Sequence, residues 1–380
     1  MFNFPTSTDA FEILKKLQSA TRPLTTDSED RDHHLDETLS FGSNPGQLRM
    51  FSYMPLPAAE LSALVVVLHG CGQTAAGYDH GAGWSTLADR YGFALLMPEQ
   101  QRSNNPNRCF NWFQPEDTQR GRGEAASIRQ MVETMVRENG IDPRRVFVTG
   151  LSAGGAMTSV MLACYPETFA AGAIIAGSPY GAASNVQQAF KSMFRCPSRP
   201  ARDWGDLVRE AAPGYEGAWP RVSVWHGNAD KTVIPTNARE TIKQWTDVHG
   251  LSSAPSQEGS VEDYPRHVWL NDAGDELVES YTITHMAHGT PLATGEADFE
   301  CGAVGPFLLE VGISSSFHIA KFFGLTLNGA RPIASPTRHS AIYEPSELMR
   351  PQILHGEVLE ETALNYTQPR SSSSRINIAR

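Results

Sequence analysis

Positive charge is in short supply. Lysine and arginine number 31 against 42 aspartates and glutamates, a formal net charge of -11 at pH 7, and the cations form no cluster. That balance argues against a nucleic-acid partner. Long apolar runs are missing too: nothing approaches the roughly 18 uncharged apolar residues of a membrane span, so no transmembrane segment is expected. Cysteine is scarce. None of Cys71, Cys109, Cys164, Cys196 and Cys301 shows C-x-x-C spacing, and a bound metal has little support. The odd count leaves at least one free thiol; a Cys71–Cys109 bridge stays open, although buried thiols are commoner in chains of this size. The opening stretch MFNFPTSTDAFEILKKLQSATRPL carries Asp9, Glu12, Lys15 and Lys16 where a secretion signal needs an apolar core. A cytoplasmic location is the expectation that follows.

What is present is ordinary for an enzyme: 40% hydrophobic and 19% charged residues in 380, enough apolar surface for one sizeable buried sheet. Residues 1–46 read as an amphipathic helix (Phe11, Leu14, Leu17, Ala20) and a polar linker, 47–325 as the main domain, and 326–380 as a mobile tail ending in SSSSRINIAR. Within the domain, LVVVLHG (64–70), FALLMPEQ (93–100), RVFVTG (145–150), GAIIAGS (172–178), VSVWHG (222–227) and ELVESYTIT (276–284) read as strands. Helical patterns between them (84–91, 124–139, 236–249) argue for a mainly parallel sheet with helices on both faces. Residues 179–219 lose the pattern and read as an insertion; 252–263 read as loop. The segment 102–117 is also a loop, though its aromatics Phe110, Trp112 and Phe113 are unusual for a connector.

The sharpest signal is Gly150-Leu151-Ser152-Ala153-Gly154, set between a β-branched strand and a helix-forming segment. This is the G-x-S-x-G elbow, in which small residues flank a serine held at a strained strand-to-helix turn. A serine there is a candidate nucleophile, and the Ala153 amide at the helix start is a candidate oxyanion donor. A serine hydroxyl needs a histidine to take its proton and a carboxylate to fix that histidine. In this architecture the chain order is nucleophile, acid, histidine, each at the C-terminal end of a strand. Asp230, just after VSVWHG, and His288, after SYTIT, occupy those places ahead of Asp247, Asp263 and Asp272 and of the rival base His285. His69 and His226 read as loop-orienting residues. The second oxyanion donor falls on the amide of Cys71 in LHGCGQTA, with a nucleophilic Cys71 as the lesser alternative.

Taken in order, LHGCGQTA, CFNW, RVFVTGLSAGGAMT, WHGNADKTV and MAHG make residues 47–325 resemble the poly(3-hydroxybutyrate) depolymerase family of α/β-hydrolase esterases. The resemblance implies a cofactor-free serine esterase with Ser152, Asp230 and His288 as triad, Cys71 and Ala153 as oxyanion hole, and Trp112 as an aromatic wall of the substrate cleft. A core anchor for its loop is the plainer role for Trp112. Two departures stand out. Secreted members carry a signal peptide and often polymer-binding modules, so the chain looks like an intracellular member, with an extracellular location as the alternative. Ala287 stands where the family usually has glycine before its last histidine.

The resemblance implies a polyester or oligomer ester as substrate and a storage-granule surface as partner. The same signature covers feruloyl and acetylxylan esterases, which makes a carbohydrate ester the competing substrate. A non-catalytic granule-coat protein is the alternative of another class.

Overall fold

Strand β3 (Leu64–Leu68) is buried along its whole length, and its side chains sort by parity. Leu64, Val66 and Leu68 enter one apolar core while Val65 and Val67 enter a second on the opposite face. A strand that is apolar on both sides must be covered on both sides. The computed structural model, which describes residues 34–55 and 62–326, shows how. Helices α1 (Ala75–Ala82), α2 (Trp84–Tyr91) and α8 (Ser315–Phe322) cover one face; α3 (Gly123–Asn139), α4 (Ala153–Cys164), α6 (Ala201–Ala211) and α7 (Thr236–Val248) cover the other. The helix expected at 8–19, the linker up to residue 33 and the tail beyond 326 lie outside the described residues.

Among the described residues the sheet has ten strands in the order β1-β2-β4-β3-β5-β6-β7-β10-β9-β8. The six central strands are parallel: β4 (Ala94–Glu99), β3, β5 (Val146–Leu151), β6 (Ala171–Ile175), β7 (Arg221–Gly227) and β10 (Glu276–Ile283). One edge is closed by antiparallel β1 (Asp36–Thr38) and β2 (Arg49–Tyr53), the other by the hairpin of β8 (Gln257–Val261) and β9 (Tyr264–Leu270). This hairpin corrects the expectation of a loop at 252–263. QEGSV is mostly exposed, and an edge strand with no buried face carries no alternation to read. A small two-stranded parallel sheet, β11 (Thr290–Leu292) with β12 (Leu308–Glu310), follows the main one. The irregular stretch 179–219 contains α5 (Val186–Arg195) and α6. Among the described residues no helix is long and apolar enough to cross a membrane.

Candidate active site

Strand β5 ends at Leu151, α4 begins at Ala153, and Ser152 makes the whole turn between them with φ 57° and ψ -114°. Such a conformation is costly for a residue with a side chain and persists only when its surroundings enforce it. Here the enforcement is backbone contact. A Cβ on Gly150 would sit 2.5 Å from the Gly154 carbonyl, and one on Gly154 would sit 2.2 Å from the carbonyl oxygen of Leu68. Only glycine lets β3, β5 and α4 close up this far. The turn is pinned further where the Ser152 N–H donates to the Ile175 carbonyl at 2.9 Å.

Facing the serine is His288, in the loop between β10 and β11. Its Nδ1 lies 2.7 Å from Asp230 Oδ2 and its Nε2 lies 2.9 Å from Ser152 Oγ. A carboxylate only accepts, so Nδ1 carries the proton and Nε2 is left to accept from the serine hydroxyl. Asp230 is held from several sides. Its Oδ1 accepts from the Thr232 and Val233 amides at 2.8 and 2.9 Å, and its Oδ2 also lies 3.3 Å from His226 Nε2. Burial pushes this carboxyl up, but the hydrogen bonds from His226 and His288 outweigh it and hold the group well below the ordinary value of 3.8. It is therefore a permanent anion under the imidazole.

The other side of the serine is the loop after β3. Gly70 N–H is taken by Gln73 Oε1 at 2.8 Å and Gly72 N–H by the Asn107 carbonyl at 2.8 Å. The amide between them, on Cys71, has no acceptor among the described residues, and neither does that of Ala153. Two free donors beside a candidate nucleophile suit a carbonyl oxygen that is gaining charge. His69 orients this loop. It accepts from the Gln100 amide at 3.1 Å through Nε2 and so donates through Nδ1 to the Gly70 carbonyl at 2.7 Å. Burial holds its pKa down and the ring neutral. The rival residues lie elsewhere: His285 is exposed, with its backbone N–H on Asn228, and Asp247 pairs with Arg209 at 2.6 Å.

Residues 48–262, more than half of the chain, match the family model described as esterase PHB depolymerase. The chain belongs to this family. Its relatives include poly(3-hydroxyalkanoate) depolymerase C of Paucimonas lemoignei, 46% identical over 77% of this chain and 70% of that protein. An acetylxylan esterase of Coprinopsis cinerea is 36% identical over 68% of this chain and 69% of that protein. Among solved structures, an acetyl xylan esterase from Aspergillus awamori superposes with TM-score 0.62 at 30% identity, covering 67% of this chain and 93% of that one. The protein is thus a carboxylic ester hydrolase with the α/β-hydrolase fold.

In this PHB depolymerase family member Trp112 and Phe110 pack into the core. Trp112 does not line the depression over Ser152; it is half-buried and packs on the main core and on a small cluster of Ala182, Cys196 and Trp204. Phe110 is fully buried against His69 and cannot form a cleft wall. Cys71 and Cys109 form a disulfide, which removes the nucleophilic-thiol alternative and ties the loop bearing the free amide to segment 101–112. Glu124 organises that segment from the start of α3, accepting from the Asn111 amide, Gln100 Nε2 and Asn104 Nδ2. Complete burial pushes its carboxyl up to about 8. Three contributors escaped the sequence reading: Gln73, Glu124 and Phe307, which lines the depression. Only Gln73, inside LHGCGQTA, lay in a stretch already singled out. The bridge closes a separation of 38 residues, worth about 3 to 4 kcal/mol by chain entropy. Reducing it with dithiothreitol should lower both the unfolding temperature and kcat, read by thermal melts and by esterase assay on the same samples. An unchanged kcat after proven reduction would mean that the Cys71 amide is held without it.

Proposed function

We propose that this esterase hydrolyses 3-hydroxyalkanoate esters, polyhydroxybutyrate or its oligomers, through an acyl-enzyme on Ser152. The observation that carries the mechanism is the unbroken hydrogen-bond chain from Asp230 through His288 to Ser152 Oγ. Ser152 Oγ attacks the ester carbonyl carbon as its proton passes to His288 Nε2, and Asp230 stabilises the imidazolium without itself taking a proton. The tetrahedral oxyanion accepts from the Cys71 and Ala153 amides. When the intermediate collapses, the bond from carbonyl carbon to alcohol oxygen breaks and His288 returns the proton to that oxygen. Water then repeats the sequence, with His288 as base, to release the acid and restore the serine. No cofactor is required.

The similarity to a protein named poly(3-hydroxyalkanoate) depolymerase supports the hydroxyalkanoate substrate, and relatives named acetylxylan and feruloyl esterase support the carbohydrate-ester alternative. A complete set of catalytic groups weighs against a purely structural granule-coat role, while a storage-granule surface remains the partner that a polymer substrate implies. The Cys71–Cys109 disulfide favours an oxidising, extracellular compartment over the cytoplasmic one. Hydrolysis rates on amorphous polyhydroxybutyrate, hydroxybutyrate oligomers and methyl ferulate test the substrate: the hydroxybutyrate esters should be the faster, and a preference for methyl ferulate would reverse the assignment.

A further inference from the structure

Residues Gly305 to Leu308 form a tight turn in which the Leu308 N–H donates to the Gly305 carbonyl at 3.0 Å and the Gly305 N–H returns a bond to the Leu308 carbonyl at 3.1 Å. Pro306 fills the second position, and Phe307 fills the third with φ 62°. That pairing is a type II turn, whose third residue must have positive φ and is ordinarily glycine or asparagine. A phenylalanine there is a backbone outlier of the kind that gathers at functional sites, and it is sterically costly. The cost has a visible return: the Phe307 ring meets the His288 ring edge to face, centroids 5.9 Å apart, and lines the depression over Ser152 with Cys71 and Gln73. The backbone around it is fixed as well. The Phe307 carbonyl accepts from the Thr290 N–H at 2.8 Å, and a Cβ on Gly289 would lie 2.8 Å from the same oxygen.

The side of the ester that meets this ring follows from the chemistry proposed above, on which this inference rests. His288 Nε2 must hand its proton to the departing oxygen, so the alcohol half of the ester lies beside His288. We infer that Phe307 is a specificity-determining residue on the alcohol side: an apolar wall that favours a compact, weakly polar leaving group such as a secondary 3-hydroxyacyl ester and disfavours a carbohydrate hydroxyl. Buried against the ring, a sugar would leave hydroxyls without partners, which is penalised. A methyl-branched hydroxyacid has an apolar face to place there.

The test uses two substrates with one acyl group, the O-acetyl ester of methyl 3-hydroxybutyrate and an acetylated xylo-oligosaccharide. Cleaved at the acetyl ester, and followed by the acetate released, both give the same acetyl-enzyme. Deacylation, the fraction of folded enzyme and general damage to the site therefore cancel in the ratio of their kcat/KM values. Wild-type enzyme should favour the hydroxybutyrate ester. Phe307→Gly, which supplies the residue the turn prefers, should lower that ratio about tenfold, the usual scale for one apolar contact in a pocket; Phe307→Leu, which keeps an apolar wall, should hold it within about threefold. An unchanged ratio in Phe307→Gly, or an equal loss in both variants, overturns the assignment of Phe307 while leaving the substrate proposal intact. Wild-type preference for the carbohydrate ester overturns both.

Discussion

Ser152→Ala should lower ester hydrolysis by about a million-fold while the protein stays folded. A loss of that size is expected because the residues of a triad act as a unit, so removing the nucleophile forfeits nearly all they do together. What survives is binding and the two free amides, worth about a thousandfold or more over water. The fold should tolerate the change. Among the described residues the serine hydroxyl makes one hydrogen bond, to His288, and the elbow is held by glycine contacts and backbone bonds that alanine preserves. Alanine keeps the Cβ, however, and with it the strain at φ 57°. Ser152→Gly should be equally inactive yet melt higher than Ser152→Ala, by about 2 °C for each kcal/mol of relieved strain. A phosphonate that labels the wild-type peptide containing Ser152 should label neither variant. Activity above one part in a thousand in purified Ser152→Ala, with contaminating esterase excluded, would remove the nucleophile assignment.

Asp230→Asn should lower kcat about ten-thousandfold with little change in KM. The reason lies in which oxygen is already committed. Oδ1 accepts two backbone amides, so an asparagine must keep its carbonyl there and turn its NH2 toward His288 Nδ1 and His226 Nε2. His288 can meet a donor only by placing its own proton on Nε2, the tautomer that cannot accept from the serine. His226 already donates from Nε2 to the Val233 carbonyl at 2.7 Å, so it would face a donor with a donor. The carboxyl is also a stabilising group. Its folded pKa lies below 3.8, so its contribution is present above that pH in the wild type, fades as the pH falls through the lowered folded value, and is missing from the asparagine variant throughout. Steady-state kinetics at fixed pH check the first claim; more than a tenth of wild-type kcat would sink it.

The three side chains that meet at the candidate site were legible in the sequence because each is a telling residue type at a place the architecture names. Gly150 and Gly154 flank Ser152 at alternate positions where a side chain has no room, and Asp230 and His288 each follow a strand that reads as buried. The wall of the site was not legible. Phe307 lies 155 residues beyond the serine, in a turn whose type depends on a φ angle that Gly-Pro-Phe-Leu does not announce. Trp112 stands out for its Asn-rich surroundings, which have a packing explanation: the ring anchors its loop on the core. The Cys71–Cys109 pairing depends on the loops after β3 and β4 meeting beyond the C-terminal ends of those neighbouring strands, which spacing does not convey. The β8–β9 hairpin went unseen for a simpler reason: at an exposed edge nothing obliges apolar residues to alternate.

The carbonyl oxygen of Leu68, 2.2 Å from where a methyl on Gly154 would begin, makes the serine's pedestal effectively unalterable. Breeding this catalyst toward new esters therefore has no route through the pedestal. Novelty must enter from the periphery, through the disulfide-tethered segment and the short turn at Phe307, which leaves the reactive atom stationary while the rooms around it are refurnished.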